Sequence, residues 1–309
     1  MNHQHPHDLS GSALLEAITS QAGLPALRNA NLDGCGLTVF PAGILKLAGL
    51  TTLSLFDNRL ADIPDGISQL RGLHTLNLGQ NLLAAVPESI GELEALEMLD
   101  LGHNRLAKLP ASLSRLTRLA FLYLSNNQLS SLPTSLAALT RLCYLNLTDN
   151  RFTGLPAWIG RLSSLIELRV YHNSLAALPA EIGALSALVE LHANQNQIAV
   201  LPETIGGLAS LVKLNLQANR LTALPESIGN LSRLVELDLR FNRITALPAR
   251  ISELHSLEYL DLRANALSAL PESLLELPRL RKIDLRWNRL QTLPPCLAAL
   301  ARRGCIVYT

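Results

Sequence analysis

Residues 238–260 read DLRFNRITALPARISELHSLEYL, and the same pattern recurs along nearly the whole chain every 23 residues. One column fixes the period. Asn58, Asn81, Asn104, Asn127, Asn150, Asn173, Asn196, Asn219, Asn242, Asn265 and Asn288 are evenly spaced, and Cys35 holds the same place one period earlier. Six residues after each of them stands a proline, from Pro41 and Pro64 through to Pro271 and Pro294. Twelve units follow one another without an insertion. Counted from the Asn, apolar residues hold offsets −5, −3, +2, +5, +9, +12 and +15, as Leu237, Leu239, Ile244, Leu247, Ile251, Leu254 and Leu257 do around the quoted stretch.

The alternation at −5 and −3 has the two-residue period of a short strand, whereas +9, +12 and +15 carry the three-residue step of a short helix or 3₁₀ turn. Each unit is therefore a strand, a turn and a helical return. Burying seven aliphatic side chains, at roughly 1.5–3 kcal/mol each, is largely offset by the entropy of ordering the chain, about 1–2 kcal/mol per residue. No unit closes a core alone, so the units must stack. Where the strand turns back, backbone groups are buried without a ladder, and a carboxamide that both donates and accepts satisfies them. Proline fixes φ where the return leg begins, a place that suits the first turn of a helix.

The columns LxxLxLxxN(C)xL followed by LPxxIxxL resemble the leucine-rich repeat in its 23-residue subclass. They are similar to the repeats of Ras-scaffold and LAP (Scribble-like, Erbin-like) proteins, of plant intracellular Ras-group proteins and of many bacterial proteins. The resemblance runs from about Leu24 to Pro295. It implies an α/β solenoid curved into a horseshoe, with a parallel sheet on the concave face and short helices or 3₁₀ turns on the convex face. It also implies a non-enzymatic interaction module whose candidate partners are small GTPases, kinases or phosphatases.

The expected organisation is a polar tail and capping helix over residues 1–23, a twelve-repeat solenoid over 24–295 and a C-terminal cap over 296–309. His3, His5 and His7 belong to the tail and are not taken as metal ligands. From Ser12 to Ala22 the residues Leu14, Leu15, Ile18 and Ala22 fit one helix face, and Gly23 follows as a stop signal. At the other end Ile306 and Tyr308 fall at −5 and −3 of an unfinished thirteenth unit, and Arg303 stands where a core Leu is expected. Cys296 and Cys305 flank the last helical turn; a disulfide between them is one reading, and two reduced thiols the favoured one.

Composition excludes more than it assigns. Twenty-six basic residues against twenty-five acidic give a net charge of +1, which leaves no footprint for nucleic acid or an anionic membrane. No apolar run approaches the length of a membrane span, and the N-terminus lacks the apolar core of a secretory signal. A cytoplasmic monomer is expected, with a secreted bacterial effector acting by binding alone, or a structural or self-associating module, as alternatives.

Function rests on what the repeat leaves free. Offsets −6, −4 and −2 point away from the core, with −1 at the rim, and together they form a floor. The chain has five Phe, five Tyr and two Trp; even placement would put about two of these in the four columns, and strand propensity roughly doubles that. Phe56, Phe121, Tyr123, Tyr144, Tyr171, Phe241, Tyr259 and Trp287 lie there. Phe121, Tyr123, Tyr144 and Tyr171 come from consecutive repeats and are the expected anchors of one patch, with Arg169, His172 and His192 supplying polar specificity. Further on, Asp-Leu-Arg recurs three times, setting Asp238, Asp261 and Asp284 beside Arg240, Arg263 and Arg286. That Arg row is either a site for carboxylate or phosphate or one neutralised by cross-strand pairing; the second reading is favoured. No catalytic, cofactor or metal site is expected: His103, His172 and His192 reach the floor near Asp100, Glu167 and Glu190, but no third ligand has zinc spacing.

Overall fold

The computed structural model describes residues 8–20, 27–292 and 294–309. The tail with His3, His5 and His7, and the residues Ala22, Gly23 and Leu24, lie outside the described residues. The chain forms two compact units, Met1–Asn150 and Arg151–Thr309.

In the first unit seven parallel strands follow in chain order: β1 (Asp8–Ser10), β2 (Asn29–Asn31), β3 (Thr52–Ser54), β4 (Thr75–Asn77), β5 (Met98–Asp100), β6 (Phe121–Tyr123) and β7 (Tyr144–Asn146). A helix, α1 (Gly11–Ser20), joins the first two. The second unit holds β8 (Glu167–Arg169), β9 (Glu190–His192), β10 (Lys213–Asn215), β11 (Glu236–Asp238), β12 (Tyr259–Asp261) and β13 (Lys282–Asp284), then α2 (Pro295–Arg302) and β14 (Ile306–Tyr308), all its strands again parallel. Between strands the return leg is a five-residue 3₁₀ turn such as Asp65–Gln69. The seven apolar columns form the core: Leu76, Leu78, Leu83, Val86, Ile90, Leu93 and Leu96 are all buried.

Within each unit the column Asn ties its repeat to the one before it. The Asn81 carboxamide donates to the carbonyls of Leu55 (2.9 Å), Leu78 (3.1 Å) and Gly79 (3.1 Å), and its oxygen accepts the N–H of Leu60 (3.0 Å). Donor and acceptor are both used, as the buried turn requires. The proline stands one place ahead of the 3₁₀ turn, in extended conformation, and does not enter its first turn; the Pro64 carbonyl accepts the N–H of Ile67 at 3.0 Å. Turns of successive repeats come close enough that a Cβ at Gly183 would overlap the carbonyl of Thr204.

Three residues beyond the end of each of β2 to β13, just before the column Asn or Cys35, the backbone adopts the left-handed region and the chain turns. Gly34 does so first (φ 63°), and then Asp57, Gln80, His103, Asn126, Asp149, His172, Gln195, Ala218, Phe241, Ala264 and Trp287 follow, with φ between 52° and 62°. For a residue with a Cβ this conformation costs about 1–2 kcal/mol, least for Asn and Asp and most for bulky side chains.

Both ends depart from the repeat. At the N-terminus α1 covers the core with Leu14 and Ile18, and β1 adds a strand beside β2 that the sequence pattern does not announce. At the C-terminus the expected phase is wrong. β14 pairs Ile306 with Lys282, Val307 with Ile283 and Tyr308 with Asp284, so Val307 takes the inward column while Ile306 and Tyr308 are exposed. The return leg here is an eight-residue α-helix and no longer a 3₁₀ turn; it absorbs one extra residue, and a one-residue slip turns every strand side chain to the other face. Arg303 is exposed rather than buried in the core; its guanidinium donates to the carbonyl of Leu275 (2.8 Å) and to that of Leu277, closing the end of the preceding 3₁₀ turn. Cys296 and Cys305 are buried free thiols, and burial pushes both above the ordinary thiol range. No helix of the described residues is long and apolar enough to cross a membrane.

Candidate recognition site

On the three-residue strands β2 to β13 the middle side chain is buried and the outer two face away from the core, as on β4, β6, β7, β8 and β9. The offset −4 residue on that outer face has a structural task in most repeats. Asn31, Asn77, Asp100, Asn146, Asn215, Asp238, Asp261 and Asp284 each accept the backbone N–H two residues on, at 2.8–3.3 Å. At Ser54 the job passes to Asp33, which takes the Phe56 N–H at 2.9 Å. Tyr123, Arg169 and His192 occupy the same column with no carboxyl or carboxamide oxygen. Those three side chains replace a turn-stabilising group, and this signal lay in the sequence unused.

In the first unit Phe121 and Tyr144 are register partners on β6 and β7. Phe121 is 43% exposed. The rings of Tyr123 and Tyr144 meet with centroids 4.8 Å apart at a 38° tilt, a geometry in which aromatic pairs gain beyond their buried area. Asn146 donates to the Tyr144 hydroxyl at 3.4 Å. The result is a rigid apolar platform with phenol groups at its margin. Beside it Asp100 is a half-buried carboxylate whose pKa is raised by burial, against the opposing pull of the Gly102 N–H and of His103.

In the second unit Glu167 and Glu190 are direct register partners on β8 and β9, as are Arg169 and His192. Two like charges side by side are unfavourable, and the other pair answers them. Arg169 donates to Glu167, while His192 Nε2 lies 2.8 Å from Glu190 and 4.0 Å from Glu167. One ligand atom from each of Glu167, Glu190 and His192 falls within 4.8 Å of the others, a set of donors able to hold a cation; the guanidinium of Arg169 is the cation engaged with Glu167. Tyr171 and His172 stack edge to face at 5.4 Å. Ala193 and Val170 are fully buried, and each still donates its N–H to the following repeat, Val170 to the His192 carbonyl at 2.8 Å and Ala193 to the Asn215 carbonyl at 2.9 Å.

Further along the second unit each Arg of the Asp-Leu-Arg triplets forks onto the Asp two residues before it. Arg240 reaches Asp238 at 2.7 Å, Arg263 reaches Asp261 at 2.6 Å and Arg286 reaches Asp284 at 2.7 Å. Arg240 also lies 3.5 Å from Asp261, and Arg263 lies 3.4 Å from Asp284. The row is a charge ladder along β11, β12 and β13. Burial works to raise the carboxyl of Asp284, which is 1% exposed, but hydrogen bonds from Arg286 and the charges of Arg286 and Arg263 hold it below its ordinary value.

Sequence profiles described as leucine rich repeat match residues 48–106, 71–129 and 232–290, a leucine-rich repeat region profile matches 133–219, and a further leucine rich repeat profile matches 210–231. No curated protein sequence matches the chain. Among solved structures, a leucine-rich repeat protein of Leptospira interrogans is 29% identical, with a TM-score of 0.70 over 98% of this chain and 89% of its own. The plant peptide hormone receptor RGFR1 in complex with RGF2 is 28% identical, with a TM-score of 0.73; 97% of this chain is covered, spanning 53% of the receptor chain. An internalin of Listeria monocytogenes shares the fold at 21% identity, with a TM-score of 0.71. With profiles matching well over half of its length, the chain belongs to the leucine-rich repeat proteins.

Proposed function

We propose that the chain binds a protein or peptide on its exposed strand face, without catalysis, and that Phe121, Tyr123 and Tyr144 of the first unit are principal anchors. The observation that carries this reading is the Tyr123–Tyr144 pair beside exposed Phe121. Tyr123 stands in a column where most repeats keep a turn-stabilising Asn or Asp. Aromatic side chains left at a surface and held rigid are the usual energetic centres of interfaces. Arg169, Tyr171, His172 and His192 of the second unit supply polar contacts in the same reading. The solved complex of the plant receptor supports it in kind, since that protein of the same fold is seen with RGF2.

The finer reading is an intracellular monomeric scaffold in signalling, its partner a small GTPase, kinase or phosphatase by family analogy. The test is a pulldown from native lysate comparing wild type with a Tyr123→Ala, Tyr144→Ala double variant whose folding is verified by thermal melting. A partner retained by wild type and lost by the folded variant supports the platform as the site. If both capture the same proteins, the platform is not the anchor.

A further inference from the structure

The ladder on the second unit is staggered, and its two ends differ. Arg240 and Arg263 each touch their own Asp and the Asp of the following strand. Arg286 has no following Asp, since β14 carries none and sets Tyr308 opposite Asp284. Its Nε and Nη2 hold Asp284, and the guanidinium lies 5.0 Å from the centroid of the Tyr308 ring. Lys282 Nζ lies 5.3 Å from the same centroid, and among the described residues it has no carboxylate within salt-bridge distance. Asp284 is already shared by two guanidinium groups. Charge on the face therefore climbs from strand to strand. Glu236, Asp238 and Arg240 leave a negative excess, Asp261 and Arg263 cancel, and Lys282, Asp284 and Arg286 leave a positive one.

An apolar frame adjoins this cationic end. Phe241 and Trp287 are 49% and 66% exposed, and both hold a left-handed backbone that bulky residues avoid. The Arg286 guanidinium lies 5.7 Å from the centroid of the Trp287 ring, so Trp287 flanks the cationic end directly. Ala264 lies between them in the same column, its N–H bonded to the Arg286 carbonyl and the Phe241 N–H to that of Arg263, each at 2.9 Å. With strands about 4.8 Å apart, Phe241 and Trp287, two strands apart in this one column, are separated by about 10 Å at the backbone.

We propose that this end of the strand face docks an extended acidic peptide segment of a protein partner. An apolar side chain of the segment lodges over Ala264 between Phe241 and Trp287, and a neighbouring carboxylate is held by Lys282 and Arg286 above Tyr308. The excess positive charge calls for an anion, and Nη1 of Arg286 is left to donate to it. Glu236, Asp238 and Asp261 close by are each paired with a cation, and the positive excess of a single side chain suits one or two carboxylates and not a nucleic acid backbone. These residues are distinct from the Tyr123 and Tyr144 platform, and the two sites stand or fall separately.

The test uses Trp287 as reporter in a Trp158→Phe background, titrated with synthetic peptide pools that carry one Leu or Phe flanked by Asp and Glu. Matched pools carry Asn and Gln instead, or phosphotyrosine. The expected result is a saturable change in Trp287 emission, with the acidic pool binding about 10-fold or more tighter than the neutral pool and weakening as salt rises. Lys282→Gln with Arg286→Gln should remove that preference. Phe241→Ala should weaken binding of the acidic pool while its salt dependence persists. Equal binding of acidic and neutral pools, binding unchanged in the double variant, or binding of the phosphotyrosine pool alone would each overturn the proposal.

Discussion

The carboxamide oxygen of Asn81 accepts the N–H of Leu60 at 3.0 Å, although 21 residues separate them. Asn81→Ala strands that donor in a buried turn, while the Leu55 carbonyl keeps the Asn58 carboxamide at 3.0 Å. The expected loss is about 1–3 kcal/mol for a group left unsatisfied, read as a lower urea midpoint. A change under about 0.5 kcal/mol, the size of an ordinary surface substitution, would mean that water replaces the carboxamide.

Ala218 holds φ 54° with a Cβ that this conformation disfavours. Ala218→Gly should raise stability by about 0.5–1 kcal/mol. Ala193→Gly should lower it, because Ala193 is buried and outside the left-handed column. Thermal melts of the two variants test the opposite signs together.

Asp100 and Asp284 sit in the same offset column and titrate in opposite directions. Burial raises Asp100, so its ionisation lowers stability as pH climbs through and above its ordinary value of 3.8. Asp100→Asn keeps the acceptor for Gly102, as Asn77 does for Gly79. It should therefore stabilise at pH 7 and have no effect in acid below both pKa values. Asp284 is held low by Arg286 and Arg263, so its contribution is present above 3.8 and is lost as pH falls through its depressed value. Asp284→Asn should destabilise more at pH 7 than in acid. Urea melts at the two pH values decide both signs.

The Tyr123–Tyr144 contact should couple by about 0.5–1.5 kcal/mol in a double-mutant cycle with alanine, measured on folding stability. Additive single losses would show that the rings do not meet in solution.

The period, the strand, the 3₁₀ return and the core were legible because each is a signal repeated in phase. The Asn column could be assigned its hydrogen bonds from valence alone. What escaped was whatever breaks the count. Eight helical residues at Pro295–Arg302 shift Tyr308 by one place, and extrapolating a period cannot see it. The left-handed column was half visible: Gly34, Asp57, His103 and Asn126 are residues that tolerate it, but Phe241, Ala264 and Trp287 mask the rule. The aromatic columns were legible as composition. Which carboxylate each Arg240 or Arg263 guanidinium forks onto depends on rotamers, which spacing does not specify.

Because one Asn after another within a unit clasps the repeat before it at two points, as Asn104 does through the Leu78 carbonyl and the Leu83 N–H, each unit is also a series of similar mechanical latches. Pulled from its ends, such a series has no single weak seam. It yields clasp by clasp, each rupture releasing 23 residues of chain and lengthening the molecule by on the order of 75 Å. The repeat that makes the fold readable thus also makes it extensible in equal steps.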